Sequence, residues 1–353
     1  MAPKLLVASY VSDWVVLIIL SAAGFFAGKM TPNHRPFSLD NPNISLPYKG
    51  HDTVSIGAAI VISIVVPAIL ILMISLLSLT ASKFFGKRHA QNSHHALRQK
   101  FWEWHAGWLG LMLSAIIAFA LTNGTKNLLG KPRPNLLGRC QPDIAKLAEY
   151  VVSNATTTGG RLVSAAICTN KDKSVINEGF RSFPSGHSSA ASSGLVYISL
   201  WLAAKLGVGS PFLLGGSTDR LEDSVHYSLP TTSFDDTSTE YNGKDGQDKY
   251  STASAEGKSA AAPLYLLLVA LLPVGISIYI CASRWYDFQH HGLDIISGYL
   301  IGIASSIIGF RYYHRPLFDG AGFSWIPREP RHRRRAFWSY VPHYLGHNQA
   351  VSG

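Results

Sequence analysis

Three sequence-distant clusters hold the side chains whose types and spacing can do chemistry. The first runs Lys126-Asn127-Leu128-Leu129-Gly130-Lys131-Pro132-Arg133-Pro134. The second is Pro184-Ser185-Gly186-His187, and the third opens Ser283-Arg284 and continues through His290 to Asp294. Lys126, Arg133 and Arg284 are cations able to surround one phosphate group, because a guanidinium meets two oxygens at once and an ammonium supplies a compact charge. Ser185 and Gly186 precede an apolar run that reads as a helix, where free N–H groups and the helix dipole favour an anion. Gly186 also lets the backbone come close to a ligand. His290 and Asp294 stand at i and i+4. On a helix they share a face, so the carboxylate is expected to fix one ring nitrogen and leave the other free to attack. His187 comes from another helix end and is expected to protonate a departing oxygen. His291 is only three residues from Asp294 and is read as a supporting or interfacial residue.

The elements that must position these clusters are membrane helices. The chain has 353 residues, of which 15% are charged and 47% hydrophobic; soluble proteins carry about 25% charged residues. That excludes a disordered chain, a collagen-like chain and a small disulfide scaffold. Spanning a bilayer takes about 20 apolar residues. Val54–Leu79 and Ala260–Ala282 meet that without a charge, and Phe101–Thr122 does so with Glu103 and His105 near one end. Ser188–Ala204 and Leu293–Phe310 are shorter but nearly uncharged, and Trp14–Ala27 follows Asp13. The expected fold is therefore all-α, an integral-membrane bundle of about six transmembrane helices. The net charge of +10 is read as membrane topology rather than as a nucleic-acid surface.

Lys and Arg concentrate in cytoplasmic loops. Residues 81–100 and the tail with Arg331, Arg333, Arg334 and Arg335 carry such runs, so both are assigned to the cytosol with the N-terminus. All three clusters then fall on the lumenal or extracellular face. The expected organisation is a first helix and lumenal loop over 1–53, a catalytic membrane core over 54–312, and a basic cytosolic tail over 313–353. Within the core, 208–262 is rich in Ser, Thr, Gly and Asp with no apolar periodicity, and is read as a disordered cytosolic loop.

The patterns Lys-x6-Arg-Pro, Pro-Ser-Gly-His and Ser-Arg-x5-His-x3-Asp resemble the three signature motifs of the type 2 phosphatidate phosphatase family, whose active site resembles that of vanadium haloperoxidases. The resemblance covers 126–294 by motif and about 54–312 by helix layout. It implies His290 as nucleophile forming a phosphohistidine, Asp294 as its orienting group and His187 as acid. Lys126, Arg133, Ser185, Gly186 and Arg284 would then hold the phosphoryl group. It further implies magnesium-independent activity, with no cofactor, on phosphatidate, diacylglycerol pyrophosphate and lysophosphatidate. The stretch Gly130–Asp143 looks closest to the eukaryotic lipid phosphate phosphatases.

The transition state of phosphoryl transfer spreads charge over three equatorial oxygens, which preset cations and backbone donors can meet without a metal. The expected partners are a phospholipid substrate and the bilayer, with no nucleic acid; the motifs specify no oligomeric state. The alternatives are a polyisoprenyl-pyrophosphate phosphatase using the same motifs, or a non-catalytic lipid-binding membrane protein. Cys140 and Cys168 lie in the expected lumenal loop, where they are expected to pair. That loop also holds the sequon Asn154-Ala155-Thr156.

Overall fold

The computed structural model describes residues 2–84, 93–154, 161–206, 208 and 263–314. Its long helices are α1 (Ala2–Lys29), α2 (Ile56–Ile60) running through a π-helical segment Val61–Val65 into α3 (Val66–Phe84), and α4 (Ser93–Leu129). They continue with α7 (Gly186–Leu206), α8 (Leu264–Tyr286) and α9 (Gly292–Tyr313). Two short helices, α5 (Leu136–Cys140) and α6 (Lys173–Gly179), lie between α4 and α7. The all-α expectation holds for the bundle. A small three-stranded antiparallel sheet, in the order β1-β3-β2, was not expected; it is built from β1 (Phe37–Ser38), β2 (Val151–Asn154) and β3 (Arg161–Val163).

Among the described residues, five helical segments are long and apolar enough to cross a bilayer: Val7–Lys29, Ile56–Leu77, Lys100–Leu129, Leu264–Tyr286 and Gly292–Tyr313. Outward-facing Ile18, Ile69, Leu268 and Leu300 are exposed large apolar side chains, as suits helices solvated by lipid. The sixth expected span, Ser188–Ala204, lies within α7. That helix has 21 residues, a length of about 31 Å at 1.5 Å per residue. Its serines lower its hydropathy, so composition yields five spans rather than six. The serines are tolerable because α7 is the axis of the bundle, with Ser188, Ser189, Ser192 and Ser193 all buried.

Small residues let the backbones meet there, as is usual where membrane helices pack without a hydrophobic driving force. A Cβ placed at Gly302 of α9 would lie 2.6 Å from the Ser189 carbonyl, and one at Gly298 would lie 2.5 Å from the Ser185 carbonyl. Hydroxyls supply the polar glue. Ser114 donates to the Ser193 carbonyl at 2.8 Å and Ser306 to the Ser192 carbonyl at 3.1 Å. Charges at the far end of the bundle are also paired, with Glu103 taken up by Lys100 at 3.2 Å and Lys205 at 3.1 Å. The Asp13 carboxylate accepts from Tyr313 Oη at 3.3 Å.

The opposite end carries a cap made from the two long loops. Phe37, Ile44, Leu136, Val163, Ile167 and Phe180 form its own buried apolar cluster. The pairing of Phe37 with Val163 joins the first loop to the second. Cys140 and Cys168 form a disulfide, as expected from the sequence, with Cα atoms 4.6 Å apart. The expected disordered loop 208–262, apart from residue 208, and the basic tail beyond residue 314 lie outside the described residues.

Candidate active site

All three clusters sit beneath the cap, at the ends of α4, α7 and α8 and the start of α9. Two backbone bonds tie the first cluster to the segment before α7: Arg133 N–H donates to the Gly179 carbonyl at 2.7 Å, and Ser182 N–H to the Lys131 carbonyl at 3.0 Å. A third bond, from Ser185 N–H to the Asp294 carbonyl at 2.9 Å, ties the second cluster to the third. The loop ends are thereby fixed relative to one another before any side chain acts.

The central side chain is His290. It is 3% exposed and lies just before α9 rather than on it. Its Nδ1 is 2.6 Å from the Ser182 carbonyl oxygen. A carbonyl only accepts, so Nδ1 carries the proton and Nε2 is left with its lone pair. Burial first, then the charges of Arg133 and Lys126, push the imidazole pKa well below its ordinary value. The ring is neutral, with one nitrogen pinned and the other available.

Here the structure corrects the expected role of Asp294. The i,i+4 argument required His290 to be helical, but α9 begins at Gly292 with His291 as its N-cap. The fully buried Asp294 carboxylate instead receives Lys131 Nζ at 2.6 Å, Ser182 Oγ at 2.6 Å, His291 Nδ1 at 3.0 Å and His291 N–H at 3.1 Å. Asp294 therefore bears on His290 indirectly, by holding Ser182. His291, which the sequence reading set aside, is the histidine that pairs with the carboxylate.

A cavity of about 1010 Å³ opens in front of His290, and Lys126, Arg133, Gly186, His187 and Gln289 share its polar wall. A Cβ at Gly186 would come within 3.2 Å of Lys126 Nζ, so the glycine keeps open the space where ammonium and helix N-terminus converge. His187 Nε2 is buried with no hydrogen-bond partner. Arg133 gives one guanidinium nitrogen to Gln289 Oε1 at 2.6 Å and another to Glu178 Oε2 at 3.0 Å. Burial, partly offset by Glu178, lowers its pKa to about 10, which still leaves it charged at neutral pH. Burial alone would raise the Glu178 carboxyl; Arg133, Arg181 and Lys126 outweigh that and hold it below its ordinary value.

Two expected phosphate ligands lie behind the cavity wall. Arg284 is 1% exposed and is taken up by Asp287 at 2.9 Å, Asp52 at 3.2 Å and the Val54 carbonyl at 2.9 Å. Ser185 is fully buried, its N–H committed to Asp294, while its Oγ accepts from Ser188 Oγ at 3.0 Å. Both brace the wall in this structure. Sequence reasoning missed Ser182, Lys131, Glu178, Arg139 and Gln289. Their common signal was polarity inside or beside the motifs, within a few residues of Arg133, Ser185 and His290. Among the described residues no three His, Cys, Asp or Glu side chains converge as a metal-ligand set.

The other end of the same cavity is apolar. Ile56 and Ile60 of α2, Ile64 of the π-helical segment, and Met112, Ile116 and Phe119 of α4 line it. A buried imidazole with its Nε2 unbonded, the cations Lys126 and Arg133 beside it and an apolar lining in a membrane bundle are the parts a membrane enzyme for phosphoryl transfer would use. The chain belongs to the PAP2 superfamily, whose family model matches residues 107–317. It is 24% identical over 89% of its length to "Lipid phosphate phosphatase 2" of Arabidopsis thaliana, covering 80% of that protein. It is 26% identical over 88% of its length to "Diacylglycerol pyrophosphate phosphatase 1" of Saccharomyces cerevisiae, covering 82% of that protein. It is 28% identical over 87% of its length to "Probable diacylglycerol pyrophosphate phosphatase 1" of Schizosaccharomyces pombe, covering 82%. No solved structure matches the chain. Fold, site and relatives agree on a multi-pass membrane phosphatase.

Proposed function

We propose that this protein hydrolyses phosphatidate to diacylglycerol and phosphate, accepts diacylglycerol pyrophosphate and lysophosphatidate as well, and works through a phosphohistidine without a metal ion. The observation that carries this reading is His290: a buried neutral imidazole with Nδ1 bound to a carbonyl, on the wall of a cavity that is cationic at one end and apolar at the other. Acyl chains would lie along Ile56, Ile60 and Phe119, in a channel continuous with the lipid-facing helices.

His290 Nε2 attacks phosphorus as the bond to the lipid oxygen breaks. Burial, with Arg284, Lys126 and Arg133, holds the His187 pKa far below its ordinary value. The bound phosphate dianion offsets those cations, so His187 takes up a proton in the complex and gives it to that oxygen, and diacylglycerol leaves neutral. Water then attacks the phosphohistidine and yields its proton to His187, which returns His187 to its protonated form and His290 to its neutral one and releases phosphate. Lys126, Arg133 and the N–H groups opening α7 stabilise the charge spread over the equatorial oxygens. Arg284 holds Asp52 and Asp287 in the wall. The site faces the lumen or the exterior; the disulfide on the same side supports this, since such bonds persist in oxidising compartments.

Phosphate release from phosphatidate by the purified protein in detergent tests the reading. Turnover that is lost in His290→Ala supports it. A purified, folded protein inert on phosphatidate, lysophosphatidate and diacylglycerol pyrophosphate overturns it.

A further inference from the structure

Arg139 is a buried arginine, 6% exposed, and it lies outside every cluster the function uses. Its described hydrogen-bond partners are all neutral: Asn135 Oδ1 at 2.9 Å, Gln289 Oε1 at 2.9 Å and the Val175 carbonyl at 3.4 Å. Three other basic side chains around the motifs are ion-paired with a carboxylate, whereas among the described residues Lys126, which faces the phosphoryl position, is not. Arg133 has Glu178, Arg284 has Asp52 and Asp287, and Lys131 has Asp294. Glu178 and Asp52 act on Arg139 from a distance, but neither carboxylate is hydrogen-bonded to it, and a buried charge with no direct ion pair is costly.

The neighbouring atoms lack acceptors in the same way. Arg133 Nε and Asn135 Nδ2 are buried donors with no partner. An amide flip does not cure Asn135, because its Oδ1 is needed by Arg139 Nε. Arg133 and Arg139 both reach for one neutral oxygen, Gln289 Oε1, at 2.6 and 2.9 Å. Two guanidinium groups converging on a single amide oxygen are short of negative charge. Arg139 and Gln289 both line the catalytic cavity, together with Tyr48 and Lys49. The Tyr48 ring stacks 4.3 Å from the Arg139 guanidinium. Lys49 is held at the rim over Tyr286, with its Nζ donating to the Tyr286 carbonyl at 3.0 Å, again without a carboxylate.

We infer that Arg139, with Gln289 beside it and Lys49 at the rim, forms a second anion subsite that takes the non-reacting phosphate of a pyrophosphoryl lipid. The inference rests on the proposed phosphatase function. A phosphate monoester fills the space at Lys126, Arg133 and His290 and leaves Arg139 hydrogen-bonded to neutral groups alone. A pyrophosphate monoester brings a second phosphate, which supplies acceptor oxygens to Arg139. In that substrate the bond cleaved by His290 is the P–O bond of the bridging oxygen, and the phosphate held by Arg139 departs with the lipid.

The test uses the full-length protein in detergent, with Arg139→Gln, Arg139→Lys and Lys49→Gln. Arg139→Gln is expected to lower kcat/KM for diacylglycerol pyrophosphate about tenfold more than for phosphatidate, with Arg139→Lys between it and the parent and Lys49→Gln selective to a smaller degree. Equal losses on both lipids, or none on either, overturn the subsite. Thermal shifts with inorganic pyrophosphate and inorganic phosphate give a readout that does not depend on turnover. Pyrophosphate should stabilise the parent protein more than phosphate does, and Arg139→Gln should erase the difference. Should Arg139→Gln fail to fold, the exposed Lys49→Gln decides, and an unchanged substrate ratio there overturns the subsite. A parent protein inert on both lipids that still prefers pyrophosphate would remove the proposed function and leave the subsite standing.

Discussion

The Nδ1 atom of His290 lies 2.6 Å from the carbonyl oxygen of Ser182, and the Ser182 hydroxyl donates to Asp294 across another 2.6 Å. Imidazole orientation thus passes through a backbone carbonyl, and Asp294 acts one residue removed. Lys131 and Ser182 also share a backbone bond at 3.0 Å, so Lys131, Asp294 and Ser182 form one closed support for the ring.

Ser182→Ala tests that support. It removes the hydroxyl to Asp294 and keeps the carbonyl, so kcat should fall about tenfold, from loss of a charge-assisted hydrogen bond worth about 1.5–3 kcal/mol, while KM stays near the parent value. Asp294→Asn should cost more, because it also leaves the Lys131 ammonium without its carboxylate. A Ser182→Ala enzyme with the parent kcat would show that the carbonyl is held by the loop backbone alone.

The nucleophile itself is tested by His290→Ala, which should abolish turnover together with any acid-labile, phosphohistidine-type label. His291→Ala loses a hydrogen bond to Asp294 at 3.0 Å and should retain a reduced but measurable rate. The reverse ranking would mean that His291 is the attacking residue.

Burial, with Arg133 and Lys126, sets the His290 pKa well below the ordinary value of about 6.5. The sign follows from proton uptake. As pH drops through 6.5 the unfolded chain binds this proton and the folded chain does not, so His290 lowers stability progressively on the acid side. His290→Asn should remove that portion of the acid loss in a thermal-shift series from pH 7.5 to 5. In the parent enzyme the nucleophile therefore keeps its neutral form to a lower pH than an ordinary imidazole does. Rapid-quench labelling of His290 should then show no loss with a midpoint at 6.5 beyond that set by the substrate's own ionisation.

Chelators provide a separate test. The cations that face the phosphoryl position are Lys126 and Arg133, with Arg284 behind the wall, so EDTA should leave phosphatidate hydrolysis unchanged. Activity lost to EDTA and restored by magnesium would refute the metal-free mechanism.

The sidedness of the protein can be read from its cap. Cys140 and Cys168 enclose a loop with a sequence separation of 28, a closure worth about 3.6 kcal/mol by the chain-entropy estimate. Cys140→Ser should therefore lower Tm clearly, and neither cysteine should be alkylated in the native protein without reductant. Asn154, in the same loop, should be the glycosylated sequon. Glycans on cytosolic segments instead would invert the topology.

The spans and the motifs were legible because each is a local property: an uninterrupted apolar run, or a fixed spacing of charged residues. Ser188–Ala204 was legible as a helix for the same reason, yet its serines keep it below the hydropathy of the five candidate spans, since an axial helix packs on its neighbours. The partnership of His290 with Ser182 was not legible. It depends on where α9 starts, and the helix begins two residues after His290 because His291 caps it. Arg284 read as a phosphate ligand by type; only the fold shows Asp52 and Asp287 already holding it. The cap sheet was hidden as well, because β1 has two residues and finds its partner more than a hundred residues away.

The proposed roles of His290 and His187 require different protonation states at one pH. His290 must be neutral when it attacks, and the Ser182 carbonyl secures the tautomer. His187 must hold a proton when the lipid oxygen departs, and its Nε2 lies buried without a protein partner, free to meet that oxygen. The need for the proton scales with the basicity of the leaving group. Phosphatidate expels an alkoxide, whereas diacylglycerol pyrophosphate expels a phosphate that is stable without protonation. His187→Ala should therefore slow phosphohistidine formation from phosphatidate by about 10²–10⁴, the usual range for loss of a general acid, and from diacylglycerol pyrophosphate by much less. Burst kinetics on the two lipids with the same enzyme preparation measure this directly. An equal loss on both would assign His187 to binding the phosphoryl group rather than to proton transfer.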